Sequence, residues 1–420
     1  GPDLLGLIPG RVEAILPAPS RPSPHMGWSR LTVRRDDPLL DGVGAILFDE
    51  FHERHLSADL GLALALDVQG GLREDLRIVV MSATLDGERL ARWLDAPRLS
   101  SEGRSYPVQI SHFPARRDEA LEAQARRAIE QALAGHPGDV LVFLPGEGEI
   151  RRLADDLAPL LPPNVLLCPL YGQLAGADQD QAISPAPDGR RKVVLATAIA
   201  ETSLTIDGVR VVIDAGLARV PRFDPGSGMT RLETRRISRA SATQRAGRAG
   251  RLEPGVCYRL WSQAQHEQLS AYSSAEILQA DLSGLALQLL RWGVTPQELS
   301  WLDVPPPAAY AQALDLLDRL GALDERGALN AHGQAMAELP SHPRIAHLLL
   351  RGRALGLGAL ACDLAALLSE RDILRGGGAD LHSRMSLLAG ESRVAGGSRG
   401  GVQRARQLAR QFRSYLRGAP

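Results

Sequence analysis

Lysine is almost missing from this 420-residue chain: among 48 basic residues only Lys192 is a lysine. Chemistry that needs a lysine therefore has one position to use, and Lys192 lies in the run Arg190-Arg191-Lys192-Val193, which leads into a strand-like segment. Cysteine is nearly as scarce. Cys168, Cys257 and Cys362 stand far apart without CxxC spacing, which excludes a disulfide scaffold or a cysteine-based metal site and suits a reducing cytoplasm. There is no excess of either charge. A formal net charge of −1 rules out a uniformly basic coat, so nucleic-acid contacts would have to come from local clusters such as Arg231, Arg235, Arg236 and Arg239. No long apolar run occurs either: the stretch from Ile345 to Leu368 is broken by Arg351, Arg353 and Asp363, and the start is unlike a signal peptide. No membrane partner is expected, and the expected location is cytoplasmic.

What is present is ordinary enough for burial: 44% hydrophobic and 23% charged residues allow two or three domains. Residues 1–35, with Pro17, Pro19, Pro22 and Pro24 close together, read as an atypical tail. From Gly42 the pattern changes. An apolar run ending at Phe48 predicts a buried strand, a helix follows, and Arg77 to Met81 predicts a second strand. Residues 118–135 have helical periodicity, and strands are expected at Asp139 to Leu144, Val165 to Cys168, Val193 to Ala196 and Val209 to Ile213. That alternation predicts an α/β layer with a parallel sheet. Beyond Trp261 the chain turns leucine-rich and helical, with linkers expected at Pro305 to Pro307 and around Pro340 to Pro343, and a basic helix ending at Arg417.

Four constellations carry chemistry. Asp49-Glu50-Phe51-His52 follows the first apolar strand, where paired carboxylates at the carboxyl edge of a sheet can hold magnesium and orient a water; the plainer reading is an acidic helix start. Ser82-Ala83-Thr84 follows the next strand, where hydroxyls can sense a nucleotide or simply cap a helix. The segment Ala196 to Gly208 is a hydroxyl-rich loop able to hold a nucleic-acid backbone without reading its sequence, or an ordinary capped turn. Most specific is Gln244 to Arg251, QRAGRAGR. Arg245, Arg248 and Arg251, spaced by three among small residues, are expected along one side of a helix, where guanidinium groups grip phosphates. A merely solvated basic helix has no need of Ala-Gly pairs in register with arginines.

In that order, DEFH, SAT, ATAIAETSLTIDG and QRAGRAGR resemble the motifs of DEAH-box superfamily-two RNA helicases, with Phe51 in place of the more usual alanine. The DEFH variant and the region around Leu367, Ser369, Glu370, Arg371 and Asp372 are similar to the bacterial HrpB branch, and the resemblance covers about residues 36–385. It implies an α/β fold of tandem RecA-like lobes, the first truncated, followed by winged-helix and helical ratchet modules. The implied boundaries are 36–110 for the first lobe, 111–262 for the second, 263–325 for the winged helix and 326–420 for a partial helical domain. It implies ATP and Mg2+ as cofactors and RNA as partner. Asp49 and Glu50 would handle metal and water, and His52 would link the site to the second lobe. Ser82 and Thr84 would connect hydrolysis to movement. Gln244, Arg248 and Arg251 would meet the phosphates, Asp207 would lie near the nucleotide sugar, and Thr197 and Thr202 would face RNA. Arg219 to Arg239 resembles the family's strand-separating hairpin.

One departure is large. The family's glycine-rich loop, GxxxxGK followed by Ser or Thr, occurs nowhere in the 420 residues, and Lys192 is in the wrong context to supply it. An impaired helicase is therefore expected. The alternatives are a non-hydrolysing nucleic-acid-binding remnant, which the missing loop supports, and a structural interaction protein, which leaves the surviving motifs unexplained.

Overall fold

The computed structural model describes residues 40, 43–82, 87–99, 106–172, 174, 176–187, 189–201, 206–224, 228–374, 378, 380–391 and 397–418. The expected tail at 1–35, and Thr84 and Thr202, lie outside the described residues. In chain order the first elements are β1 (Ala45–Phe48), α1 (Leu56–Gly71), β2 (Arg77–Val80), α2 (Gly87–Leu94), β3 (Val108–His112), α3 (Leu121–Gly135), β4 (Asp139–Phe143), α4 (Glu147–Leu157), β5 (Val165–Leu170) and α5 (Gly176–Ile183). Then come β6 (Arg191–Ala196), β7 (Val209–Asp214), β8 (Leu217–Asp224), β9 (Met229–Arg236), α6 (Arg239–Gly247), β10 (Gly255–Arg259) and α7 (Gln263–Glu267). The rest is helical: α8 (Ser283–Trp292), α9 (Pro307–Arg319), α10 (Ala331–Glu338), α11 (Pro343–Ala354), α12 (Gly358–Ser369), α13 (Leu381–Ala389) and α14 (Arg399–Gly418).

The described residues fall into two compact units: those within Asp49–Arg54 and Val80–Ala280 form one, and those up to Phe48, within His55–Val79 and from Asp281 onward form the other. The first is built on a six-stranded sheet in the order β3-β10-β7-β4-β6-β5. Every pairing in that sheet is parallel. Strand β4 is buried along its whole length because sheet neighbours flank it on both edges and cores cover both faces. Val140 and Val142 point into a core with Ile129 of α3 and Leu153 of α4, while Leu141 and Phe143 point into another with Leu170, Val194 and Val212. This is the period of two expected when both faces of a strand are covered, each buried aliphatic side chain contributing roughly 1.5–3 kcal/mol.

Lys192 is 1% exposed. Its Nζ donates to the carbonyl oxygens of Ala182 and Ser184, and its backbone N–H donates to Asp139, so the lone lysine straps the end of α5 to the sheet. Strands β3 and β10 were not among the sequence-predicted strands. Their alternation is masked by exposed positions in β3 and by tyrosine and arginine in β10. The expected hairpin is present as β8 paired antiparallel with β9, from Leu217 against Arg236 to Asp224 against Met229.

In the other unit β1 and β2 form a two-stranded sheet. Helix α1 buries Leu62, Ala63 and Ala65, and its Asp67 accepts a 2.8 Å hydrogen bond from the Trp292 indole of α8. The two expected linkers are non-helical, at 301–306 and 339–342, and each ends where a proline opens the next helix. Pro307 and Pro343 occupy the first turns of α9 and α11, where a missing N–H costs nothing and the fixed φ favours the helix. His342 caps α11 by accepting from the Arg344 N–H, and its Nε2 lies 2.9 Å from Asp281 and 3.1 Å from the buried Ser283 hydroxyl.

Two outcomes are expected. Amides of Val140–Phe143 should exchange far more slowly than those of Ile46–Phe48, because only the former lie in a strand with neighbours on both edges; equal protection would contradict this. The second concerns Glu119, whose carboxylate meets the Arg127 guanidinium at 2.7 and 2.9 Å. With the Arg116 N–H, that pair holds its pKa down to about 2. A carboxylate with a depressed folded-state pKa stabilises above its unfolded value, about 4.3, and loses that stabilisation as pH falls toward 2. The melting-temperature gap between the native protein and Glu119→Gln should therefore be full at neutral pH and shrink below about pH 4.

Candidate nucleotide and nucleic-acid site

The carboxylate motif lies in a strained turn. Glu50 and Arg54 both adopt left-handed conformations, each with φ 50°, on either side of the short 3-10 turn Phe51–Glu53. For residues with a Cβ this costs on the order of 1–2 kcal/mol each and persists only where surrounding contacts enforce it. Here those contacts are visible. Phe51, 1% exposed, anchors the turn in the core, and its N–H donates to the Met81 carbonyl at 3.1 Å. The Glu53 and Arg54 amides close back on Glu50 and Phe51, and the Arg54 carbonyl accepts from Glu276. Phe51, the departure from the usual motif, is thus what seats the turn.

The result is a half-exposed Glu50 beside an exposed Asp49. Burial lifts the Glu50 pKa above the ordinary carboxylate range; His52 and Arg248 oppose the rise, Asp49 and Glu53 add to it. His52 Nδ1 lies 3.3 Å from the Glu50 carboxylate and its Nε2 lies 3.1 Å from the Gln244 side-chain nitrogen. A carboxylate can only accept, so Nδ1 carries the proton and Nε2 accepts from the Gln244 amide. Glu50, His52 and Gln244, the last 192 positions from His52, form one line of polar contacts.

The three arginines of QRAGRAGR do not share a role. Helix α6 ends at Gly247 and Arg248–Gly250 is a 3-10 turn, so the expected continuous face is broken. Arg245 is 1% exposed and points inward. It bonds Glu201 at 2.8 Å and Asp214 at 2.9 Å, and its guanidinium carbon lies 4.9 Å from the Phe143 ring centre. Burial opposes its charge, but the two carboxylates hold its pKa above the ordinary value. Arg248 is 7% exposed and donates to the Glu201 carbonyl oxygen. Burial and the like charge of Arg251 push its pKa down to about 10, while Glu50 and Glu201 oppose that shift. Arg251 is more open and lies within electrostatic reach of Asp207 and Glu50. Two neighbouring guanidinium groups, one desolvated, form a place where an anion relieves both repulsion and burial. The glycine at 250 has a packing reason: a Cβ there would stand 2.5 Å from the Tyr106 carbonyl oxygen, so the close approach it permits is to the protein's own backbone.

Among the other expected site residues, Ser82 is exposed just past β2, Asp207 is exposed in the turn before β7, and Thr197 is half-buried at the end of β6. Glu201 is the residue that sequence reasoning missed: it takes Arg245 and the Ser241 hydroxyl on its carboxylate and Arg248 on its carbonyl. Its partners lie 40 or more positions away, and no local pattern announces them.

A parallel sheet that carries such loop and arginine motifs, with the carboxylate turn's His52 meeting Gln244 of the arginine motif, defines the class of helicase motor domains. Residues 124–253 match the model of the helicase conserved C-terminal domain. The chain is 52% identical over 337 residues to the ATP-dependent RNA helicase HrpB of Escherichia coli (strain K12), covering 80% of this chain and 41% of that protein. It is 37% identical to the pre-mRNA-splicing factor ATP-dependent RNA helicase prp22 of Schizosaccharomyces pombe, covering 80% of this chain and 30% of that one. The crystal structure of the E. coli DEAH/RHA helicase HrpB superposes with a TM-score of 0.82 at 47% identity, over 93% of this chain and 48% of the other. A second crystal structure, of the E. coli DExH-box NTPase HrpB, gives 0.77 at 48% identity, over 92% of this chain and 46% of the other. The chain belongs to the DEAH/RHA helicase family, and it spans less than half the length of these relatives. Among the described residues no helix is long and apolar enough to cross a membrane.

Replacing Arg245 tests whether it is the structural member of the trio. Arg245→Met leaves two facing carboxylates without their cation, a change that costs about 3–5 kcal/mol in buried pairs. Urea denaturation should show a loss of that size, whereas Arg251→Met, at an exposed site, should shift the midpoint little.

Proposed function

We propose that this chain is the carboxylate- and arginine-bearing part of an ATP-dependent RNA helicase that joins ATP hydrolysis to strand translocation or unwinding. The observation that carries the reading is the line Glu50–His52–Gln244, which joins the first motif to the last beside Arg248. In this reading 36–110 is the first RecA-like lobe, 111–262 the second, 263–325 a winged helix and 326–420 a helical module, acting on RNA in the cytoplasm. Cys168, Cys257 and Cys362, all buried and free, are consistent with that compartment.

Asp49 and Glu50 offer adjacent oxygen donors of the kind magnesium prefers, and the Arg248–Arg251 pair suits phosphate oxygens, so the residues fit a magnesium nucleotide. When bound, the metal would supply charge neutralisation at the phosphates. Glu50, with its raised pKa, accepts a proton from the attacking water more readily than an ordinary carboxylate. His52 fixes the orientation of the Glu50 carboxylate and reports it to Gln244. Arg248 and Arg251 stabilise charge on the phosphates, and Asp207 lies near the sugar. Ser82 and Thr84 link hydrolysis to movement, and Thr197 and Thr202 hold the RNA backbone. The β8–β9 hairpin separates strands.

A second reading concerns the 420-residue polypeptide by itself. Its only lysine is buried and bonded to two carbonyl oxygens, so it has no side chain to place on terminal phosphates as the GxxxxGK loop does. Purified chain is expected to show no RNA-stimulated ATPase above background; sustained turnover abolished by Glu50→Gln would overturn this. It should still bind single-stranded RNA weakly, with affinity falling with salt by a log-log slope of roughly −0.7 per phosphate engaged. Absence of binding at low salt would count against the helicase reading itself.

A further inference from the structure

Beyond the carboxyl ends of β3, β7 and β10 lies a cavity of about 370 Å³, at the small end of the roughly 300–1,000 Å³ range of ligand pockets. None of the motif residues lines it. Its walls include Leu121, Leu217 and Leu260, and its polar side chains include Gln124, Gln265 and Arg236. The two amides are fixed by their partners. Gln124, 4% exposed, donates its Nε2 to the carbonyl oxygens of Phe113 at 2.8 Å and Leu260 at 2.9 Å, so what it can offer a guest is its Oε1 acceptor. Gln265 accepts the Ser262 N–H on its Oε1 at 3.0 Å within a capping box, so what it can offer is an Nε2 donor. Arg236 closes the foot of the hairpin opposite Leu217. Arg219 pairs with Glu149, and Arg222 and Arg235 with Glu233, whereas Arg236, like Arg231, has no ion-pair partner among the described residues.

One fixed acceptor and one fixed donor between apolar walls match the edge of a nucleobase, and a spare guanidinium at the mouth matches the phosphate attached to it. Leu217 and Arg236, paired at the foot of the hairpin, place the cavity beside the hairpin that is proposed to separate strands. We propose that this cavity receives one splayed-out base of single-stranded RNA, with Arg236 on its phosphate, and gives the protein a base preference that backbone contacts do not. The proposal rests on the RNA-binding reading above. The same chemistry is carried by a free nucleotide; the hairpin's proximity favours the strand. A peptide also carries paired donors and acceptors, but it gives Arg236 no phosphate.

The test uses the whole chain and four fluorescent homopolymer RNAs, with affinity measured by anisotropy across a salt series. Ala115→Trp, at an exposed position on the rim, should obstruct the cavity without disturbing the core. It should weaken binding of the preferred homopolymer about tenfold, the scale of losing one base contact, and level the four affinities. Gln265→Glu keeps the capping acceptor but removes the donor, and should reorder the homopolymers. Arg236→Ala should reduce the salt slope by roughly 0.7, one phosphate, with the ranking retained. Equal melting temperatures establish that each variant folds. If unaltered chain binds RNA while Ala115→Trp and Gln265→Glu change neither affinity nor ranking, the base pocket is refuted and RNA binding stands; that is also the outcome if the cavity serves a peptide. If unaltered chain binds no RNA, both readings fall. A free mononucleotide that binds and is displaced by RNA supports the strand as the source, whereas one that RNA cannot displace overturns it.

Discussion

A buried guanidinium, that of Arg245, ties together three segments that must agree for any site to exist here. It holds Glu201 in the loop after β6 and Asp214 at the end of β7, while belonging to α6 itself. Burying three charged groups is expensive unless each finds its counterpart, so the positions of loop, strand end and helix are not independently adjustable. The consequence reaches the neighbouring arginines. Arg248 leaves α6 one turn later and donates to the carbonyl of the same Glu201, so the desolvated cation facing Glu50 inherits its position from the ion pair below it. A change in the loop after β6 that moved Glu201 would act on both arginines at once.

The turn bearing Glu50 is held by a different means. Left-handed backbone at Glu50 and Arg54 is unfavourable in isolation, and Phe51 makes it tolerable by burying a ring and lending its N–H to Met81. The Met81 carbonyl immediately precedes Ser82, so the carboxylate turn and the Ser-Ala-Thr segment share one backbone hydrogen bond.

Much of the fold was legible because β4, β6 and β7 are apolar on both faces and the helices between them are periodic. Strands β3 and β10 were illegible for the opposite reason. β3 lies at the sheet edge with partly exposed residues, and β10 carries Tyr258 and Arg259, so neither reads as a buried run although their residues pair in register from Val108 and Gly255 onward. Proline was legible as a break: the expected linkers are non-helical at 301–306 and 339–342, and Pro307 and Pro343 then open the helices that follow. At the site, residue types were readable from motif strings but pairings were not. Nothing near Gln244 announces His52, and nothing near Arg245 announces Asp214, because hydrogen bonds between distant segments leave no local periodicity.

The arginine motif shows why even correct spacing misassigns direction. On one α-helix, residues at i, i+3 and i+6 would line a single side, and Arg245, Arg248 and Arg251 would then reach a phosphate together. The chain instead stops the α-helix at Gly247 and tightens into a 3-10 turn, so Arg248 and Arg251 lie beyond the end of the helix that buries Arg245. Gly250 permits that tightening, since any side chain there would strike the Tyr106 carbonyl. Two of the small residues between the arginines thus divide the trio: Gly247 ends the helix that buries Arg245, and Gly250 lets the next turn pack against the strand β3 side of the sheet. Arg245 is left as the buried ion-pair partner of Glu201 and Asp214, and Arg248 and Arg251 follow beyond the helix end.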